Sequence, residues 1–309
     1  MKKAVILVTA LAAVSATSAM AADKAVTAPP PAAPASPWDL AFGAAIMNDY
    51  IFRGITQSDH KPSISEYQEL RYNFNPNLQA YLGLSGESID FPNRAAAEID
   101  GYGGIRPTFG PVAFDVGAWY YYYPGGQCFS PFLDPSCLPP LPNGNVIKSD
   151  LSFWEFYGKA TWTVNDSLAL GVNEFYDPNW LNSGAWGDYF SGTLKYTVPS
   201  TVQLPFGAGA YISGEFGHYW FGTPDVFYAV PIIFPAGTAY PGYNTWNVGV
   251  GFTYKVFTLD LRYYDTDLSK VNCNILTSDQ TSNGLESSWC GPSFVAKFSF
   301  DLTLGSSLK

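Results

Sequence analysis

Histidine is the side chain best suited to proton transfer near neutral pH, and this chain has only two. His60 lies in a polar run, which predicts a solvated side chain. His218 shares the parity of Phe216 and Trp220 on an apolar strand face, where a membrane lipase would place a Ser–His pair. No serine stands at a matching position on the neighbouring segments. We therefore predict that the protein is not an enzyme and has no catalytic residues.

Glu98 and Asp100 are the clearest pair of carboxylates, because they fall on one face of a predicted strand. Such pairs more often line a polar interior than perform acid–base catalysis. The run Gly101-Tyr102-Gly103-Gly104 also lies inside a strand, where glycine permits curvature rather than binding phosphate. No cofactor is predicted.

Four cysteines fall in two long predicted loops, Cys128 and Cys137 in one and Cys273 and Cys290 in the other. An even number in an exported chain predicts disulfides, and four cysteines permit three connectivities. Pairing within each loop is the simplest, and a pairing between the two loops is the alternative. The spacings and the lack of nearby histidine argue against zinc, so no metal site is predicted.

The composition is unusual for a soluble domain. Aromatic residues make up 17% and charged residues only 14% of the chain, whereas about 25% charged residues is typical. Mean hydropathy is nevertheless -0.00, too low for a helical membrane protein. The net charge of -10 disfavours a nucleic-acid partner, because phosphate binding requires clustered Lys and Arg.

The N-terminus has the features of an export signal. Residues 1–21 combine Lys2 and Lys3, a short apolar core and a small-residue site that predicts cleavage near Ala21-Ala22. Residues 22–37 are rich in Ala and Pro and predict an extended periplasmic linker. Residues 38–309 form the remaining domain.

The first segment of that domain alternates over 38–53. Trp38, Leu40, Phe42, Ala44, Ile46, Tyr50 and Phe52 share one apolar face, with Met47 and Ile51 as exceptions on the other. The period of two predicts a strand long enough to cross a bilayer, which ends in a polar run at an aqueous rim.

Eleven further segments alternate in the same way. The twelve predicted strands are 38–53, 64–74, 78–87, 97–109, 112–123, 151–164, 168–176, 188–197, 206–219, 244–256, 257–267 and 293–304. Short turns alternate with the long loops 54–63, 88–96, 124–150, 177–187, 220–243 and 268–292. This asymmetry predicts an all-β, antiparallel transmembrane barrel of about 12 strands, with short periplasmic turns, long extracellular loops and both termini on the short-turn side. A secreted β-sandwich is the alternative, but it would need a polar exterior.

Charged residues fall mostly on the faces opposite the aromatic ones. Because charges are costly in lipid, we predict that they point into the lumen. The predicted pore-lining residues are Arg53, Glu69, Arg71, Glu87, Glu98, Asp100, Arg106, Asp115, Glu155, Lys159, Glu174, Lys195, Glu215, Lys255, Asp260, Arg262 and Lys297, joined by Asp301. Either these charges line a water-filled pore or they pair across the interior and plug it. Side chains fill the interior of barrels of about 8 strands, whereas barrels of about 16–18 strands leave an open channel. A barrel of about twelve strands lies between these two cases.

Several motifs resemble one family. The run Asp49-Tyr50-Ile51-Phe52-Arg53-Gly54-Ile55-Thr56-Gln57-Ser58 is similar to the opening signature of the TorF family of porin-like outer-membrane proteins. Further similar runs are Ser85–Phe91, Glu98–Gly104, Tyr121–Gly125, Trp154–Gly158 and Tyr263–Asp267. The resemblance covers most of the chain after residue 37 and implies an outer-membrane barrel of a Gram-negative cell.

The features together predict a porin-like channel for passive diffusion of small polar solutes or ions, with loop 124–150 as a candidate gate. The alternative is a non-conducting barrel with a structural, surface-interaction or lipid-processing role. The expected partners are outer-membrane lipid, the transported solutes and the barrel-assembly machinery during insertion. The chain continues past Phe300 to Lys309 rather than ending on the aromatic residue that this machinery commonly recognises.

Overall fold

Twelve antiparallel strands close into a single barrel in the computed structural model. The structure describes residues 36–130, 136–141, 143–229 and 234–304. The predicted export signal and most of the predicted linker lie outside these residues. The barrel strands are β1 (Trp38–Met47), β4 (Ser63–Asn75), β5 (Leu78–Glu87), β6 (Glu98–Phe109), β7 (Val112–Tyr122), β8 (Phe153–Thr163), β9 (Leu168–Asp177), β10 (Gly187–Thr197), β11 (Gly209–Phe221), β12 (Tyr243–Tyr254), β13 (Phe257–Thr266) and β14 (Ser293–Thr303).

Each barrel strand pairs with its neighbours in sequence, and β1 closes the barrel against β14. Closure leaves no strand edge unpaired, which is what a sheet in lipid requires. The predicted fold class and strand number are therefore confirmed. The short turns lie at one end of the barrel and the long loops at the other.

The exterior is apolar along the strands. Ile64, Leu82, Val116 and Phe216 each expose at least half of their surface. Exposed aromatic residues form two girdles, Trp38, Phe74, Phe109, Trp162, Tyr196, Tyr254 and Phe257 near the short turns and Tyr122, Trp154, Tyr176, Trp220 and Phe294 near the long loops. An apolar band between two aromatic girdles is the exterior of a membrane barrel. A soluble sandwich would instead present polar side chains.

The remaining elements lie outside the barrel wall. A small hairpin joins β2 (Ile51–Phe52) to β3 (Ile55–Thr56). The one α-helix among the described residues is α1 (Lys270–Thr277), and short 3₁₀ turns span Trp180–Asn182, Pro205–Gly207 and Val226–Tyr228. Within the same residues, no helix is long and apolar enough to cross a membrane.

The first predicted strand is too long. Strand β1 ends at Met47, and the chain then turns into the barrel instead of continuing to 53. Tyr50 is only 5% exposed, so it and the half-buried Phe52 do not lie on the lipid face. The period-2 pattern continued past Met47 because the hairpin that follows is also built of β-strand residues.

Candidate functional site: the lumen and its plug loop

Residues 48–62, which we call the plug loop, fold into the long-loop half of the lumen. Their tip is the hairpin β2–β3, closed by a two-residue turn of Arg53 and Gly54. Both turn residues have positive φ, 47° and 83°, which is the backbone that the tightest hairpin turns require. The flanking Ile51, Phe52, Ile55 and Thr56 favour strand conformation. The local sequence therefore folds into a hairpin by itself.

The base of the plug loop is held by Asp49, which is 2% exposed. Its carboxylate accepts hydrogen bonds from the hydroxyls of Thr56 (2.5 Å) and Ser58 (3.1 Å), both within the loop. The hydroxyl of Ser293 at the start of β14 donates to it as well, at 3.2 Å. His60 Nδ1 lies 2.8 Å from the same carboxylate. Asp49 thus fastens both arms of the loop to each other and to the wall.

The tip of the plug loop is held by Arg53 on the opposite wall. Its guanidinium donates to Glu155 Oε2 on β8 at 2.6 Å and to the Tyr219 hydroxyl on β11 at 2.8 Å. Asp177 Oδ2 at the end of β9 lies 3.9 Å away. Four aromatic rings surround the same guanidinium at 4.5–4.8 Å, those of Phe52, Phe175, Tyr189 and Tyr219.

The surroundings of this ion pair are dry. The side chains of Arg53, Glu155 and Asp177 are 6%, 1% and 0% exposed. The Tyr243 hydroxyl also donates to the Arg53 carbonyl at 3.0 Å, so β12 contacts the turn as well. The plug loop therefore spans the lumen from β1 to the strands on its far side and blocks a straight path through it.

The long loops pack over the plug loop. Ile55 lies in a buried apolar cluster with Phe91, Leu151, Trp289 and other residues of these loops. The structure forms the disulfides Cys128–Cys137 and Cys273–Cys290, the pairing within each loop. Part of loop 124–150, the predicted gate, lies outside the described residues. Asn145 of this loop donates a hydrogen bond to Asn274 of loop 268–292 at 2.7 Å. The two loops together cover the plug loop as a lid.

Two cavities of about 70 Å³ flank the plug loop. One lies toward the long loops and is lined by Phe52, Phe91, Trp180 and other mainly aromatic residues. The other lies toward the barrel wall and is lined by Arg53, Lys159 and further polar residues. Each is large enough for a few water molecules. The plug loop therefore leaves little open space beside it at this level of the lumen.

The half of the lumen toward the short turns contains charged side chains that pair with one another. Arg106 donates to Glu69 at 2.7 Å and to Asp115 at 3.2 Å. On the other side of the barrel, Arg262 bonds to Asp260 at 2.9 Å. The Arg106 and Asp260 side chains remain 16% and 15% exposed, in contrast to the dry ion pair above. Arg106 and Asp260 are therefore less completely buried than the ion pair at the tip of the plug loop.

Most of the predicted pore-lining residues lie on the inward faces of the strands. These are Glu69, Arg71, Glu87, Glu98, Asp100, Arg106, Asp115, Glu155, Lys159, Lys195, Glu215, Asp260, Arg262, Lys297 and Asp301. Arg53 is inside the lumen but comes from the plug loop rather than from a strand. Its role as the tip of a plug was not predicted.

Two predicted pore-lining residues lie elsewhere. Glu174 is on the exterior, because the strict alternation of β9 places it with Val172 and Tyr176, both exposed. It pairs across strands with Phe190, near the aromatic girdle at the long-loop end. Lys255 lies in the turn between β12 and β13 with φ of 55°, beyond the end of the wall.

His218 also lies on the exterior, as its parity predicts. Its Nδ1 is 2.8 Å from Asn244 Oδ1, and Asn244 in turn donates to Asp267 at 2.5 Å. These contacts join the outer surfaces of β11 and β12 at the rim.

A third group of charges lies beside the base of the plug loop. Glu87, Glu98 and Asp100 face one another across the β5–β6 pair and are 5%, 2% and 2% exposed. Each offers a carboxylate oxygen within 4.8 Å of one from both others. Sequence reasoning placed Glu98 and Asp100 on one face but did not bring Glu87 to them. The pairing of Glu87 with Glu98 is what does so.

The plug loop is expected to be held more firmly at low pH. The hydrogen bond with the Asp49 carboxylate raises the pKa of His60 above its ordinary value, against the opposing effect of partial burial. A raised pKa in the folded state means that the charged contact stabilises the loop below about pH 6.5 and is lost as the pH rises through the folded pKa. Conductance recorded from about pH 5.5 to 8.5 should rise with pH in the native protein. His60→Gln should flatten this rise, and an unchanged pH dependence in that variant would contradict the assignment.

Part of the chain matches a known protein family. Residues 31–132 match a family described as bacterial protein of unknown function (Gcw_chp). This segment contains the plug loop and the three clustered carboxylates. The match does not carry the TorF name, which stays a prediction. No curated protein matches the chain.

Several solved barrels have a similar outline. A NanC porin is 9% identical, with a TM-score of 0.44 over 85% of this chain and 100% of that one. An outer membrane channel from Pseudomonas putida F1 is 11% identical, with a TM-score of 0.42 over 88% and 97%. OmpT, an outer membrane protein of Vibrio cholerae, is 10% identical, with a TM-score of 0.39 over 86% and 99%. These similarities are too distant to bear on function.

Proposed function

We propose that the protein is a gated outer-membrane channel for passive diffusion of small polar solutes or ions, and that the plug loop is its gate. The observation that carries this proposal is the position of Arg53. A short loop reaches across a polar lumen, and the ion pair of Arg53 with Glu155 is among the contacts that hold its tip on the far wall. The wall behind it carries the charged side chains of a conducting pathway.

The way in which the plug loop is held favours a gate over a permanent filling. Its tip contacts the far wall through hydrogen bonds, an ion pair and ring contacts, all of which can be exchanged for water. Neither disulfide anchors it, because both join residues of other loops. Among the described residues, the two hairpin strands are the shortest, and neither belongs to the barrel wall. Withdrawal of the loop would leave the barrel wall intact.

The charges of the wall favour cations. The cavity beside the plug loop is lined by four inward carboxylates, Glu87, Asp100, Glu155 and Glu215, and by two basic residues, Arg53 and Lys159. An acidic constriction attracts cations and repels anions. We therefore propose a preference for cations and neutral polar solutes.

The proposed location is the outer membrane of a Gram-negative cell. The features of residues 1–21 support export, and two disulfides suit an oxidising compartment. The apolar band and girdles suit direct contact with outer-membrane lipid. Insertion would involve the barrel-assembly machinery as a transient partner.

The function is tested by solute entry into liposomes. A variant in which a short Gly-Ser linker replaces residues 51–56, the hairpin-excised variant, is compared with the intact mature protein. We expect slow swelling in small sugars for the intact protein and fast swelling for the variant. Heat-modifiable gel migration shows that both barrels are folded.

The alternative is a non-conducting barrel, and the buried aromatic lid over the plug loop is the observation that favours it. In that case the hairpin-excised variant would remain as impermeable as the intact protein. Such a result from folded barrels would overturn the channel proposal and leave a structural or surface-interaction role.

A further inference from the structure

Glu87, Glu98 and Asp100 form a cluster of three buried carboxyl groups beside the base of the plug loop. Their side chains are at most 5% exposed, and their oxygens approach within 4.8 Å of one another. Like charges at this separation repel strongly when water is excluded. Among the described residues, the ion pairs that we find within 4.0 Å all involve other carboxylates. The charge of Lys297 attracts the Glu87 carboxylate, but only from beyond ion-pair distance.

The hydrogen bonds in this group leave specific oxygens free. Glu98 accepts from the Tyr50 hydroxyl at 2.6 Å and from the Tyr123 hydroxyl at 2.7 Å. Ser85 donates to Asp100 Oδ2 at 2.9 Å. In contrast, Asp100 Oδ1 and Glu87 Oε2 are buried without a hydrogen-bond partner. A buried carboxylate oxygen without a partner loses its hydration and gains nothing in return.

We propose that these three carboxylates bind one divalent cation, and that the cation is calcium. Hard cations prefer carboxylate oxygens, and calcium binds them at 2.3–2.6 Å. Two oxygens on the same calcium ion are therefore at most about 5 Å apart, which covers the whole range seen here. The free oxygens of Asp100 and Glu87 are the two ligands that the hydrogen bonds leave available. Backbone oxygens and water complete the coordination, as calcium sites commonly allow.

The site is connected to the plug loop through Tyr50. Its hydroxyl comes from the loop and donates to Glu98, a member of the site, while Tyr123 donates to the same carboxylate from the neighbouring loop. A bound cation keeps Glu98 ionised and so favours both hydrogen bonds. Calcium would thus act as a tie between the wall and the base of the plug loop. The binding itself does not depend on whether the barrel conducts.

The test is terbium luminescence of the refolded mature protein in detergent. Terbium(III) replaces calcium at oxygen sites, and Tyr50 and Tyr123 are placed to transfer excitation to it. We expect one saturable class of sites that calcium displaces. Asp100→Asn and Glu87→Gln should each weaken binding at least about tenfold. Calcium should raise the unfolding temperature of the native protein and have a smaller effect on these variants.

Glu174→Gln is the matched control, because Glu174 is a carboxylate on the exterior of the same barrel, away from the lumen. It should bind terbium as the native protein does. A folded native barrel without saturable binding would overturn the proposal. Equal loss of binding in Glu174→Gln would also overturn it, since the ion would then be held at the surface. If a lumen variant does not fold, the stoichiometry and calcium-dependent stability of the native protein decide the question.

Discussion

Replacing Arg53 with alanine is expected to shift the channel from mainly closed to mainly open. The substitution leaves the Glu155 carboxylate buried without its 2.6 Å partner. It also removes the cation between four aromatic rings. Loss of one partner of a buried ion pair costs about 3–5 kcal/mol. Because the strands of the wall are unchanged, this cost falls on the closed position of the plug loop.

The expected change in the open-to-closed ratio is about 100-fold or more, since each 1.4 kcal/mol corresponds to about a factor of ten. Single-channel recording in planar bilayers measures this ratio directly. Arg94→Ala is the control, because Arg94 is an exposed loop arginine that also lies over an aromatic ring, that of Phe129 at 4.8 Å. An open fraction in Arg53→Ala equal to that of the native protein would show that Arg53 does not hold the gate.

Gly54→Ala is expected to displace the tip of the plug loop even though it adds a single methyl group. Gly54 has φ of 83°, a conformation that costs an L-residue about 1–2 kcal/mol. A Cβ there would also overlap the side chains of Thr245 and Thr266 on the wall. Both threonines are β-branched and fixed in strands, so neither moves easily. The turn must leave the wall to accommodate the methyl group.

Gly110→Ala separates the two contributions. Gly110 also has positive φ, 57°, but a Cβ at that position meets nothing within 4 Å. Gly110→Ala should therefore retain the closed state and lose only a little stability. Gly54→Ala should raise the open fraction at least about tenfold, because its positive φ and its overlap with the wall each cost about 1 kcal/mol. The same bilayer recordings compare the two variants. Equal open fractions would mean that the turn does not contact the wall as the structure has it.

The barrel itself could be predicted from sequence because each strand carries its own signal. The alternation in segments such as Val112–Tyr122 predicts which side chains face lipid and which face the lumen. Short turns and long loops then fix the direction of successive strands. Closure follows, since an open edge in lipid is unfavourable.

The plug loop could not be predicted in the same way. Neighbouring residues determine its hairpin, but contacts with distant strands determine where the hairpin lies. Tyr50 and Phe52 continue the apolar parity of β1, so alternation alone assigns them to lipid. The break in parity at Met47 and Ile51, both 5% exposed, was the available sign that the chain leaves the wall. The two-residue turn of Arg53 and Gly54 was a second. Glu155, the partner of Arg53, is 102 residues away in the sequence, and only the closed barrel brings the two side chains together.

Planar-bilayer recording of the intact protein beside the hairpin-excised variant, in a salt gradient, tests the gate most directly. The account predicts rare, brief openings for the intact protein and sustained, cation-preferring conductance for the variant, with the same barrel fold in both. Equal conductance in the two proteins would contradict it, because the plug loop would then not be what closes the lumen.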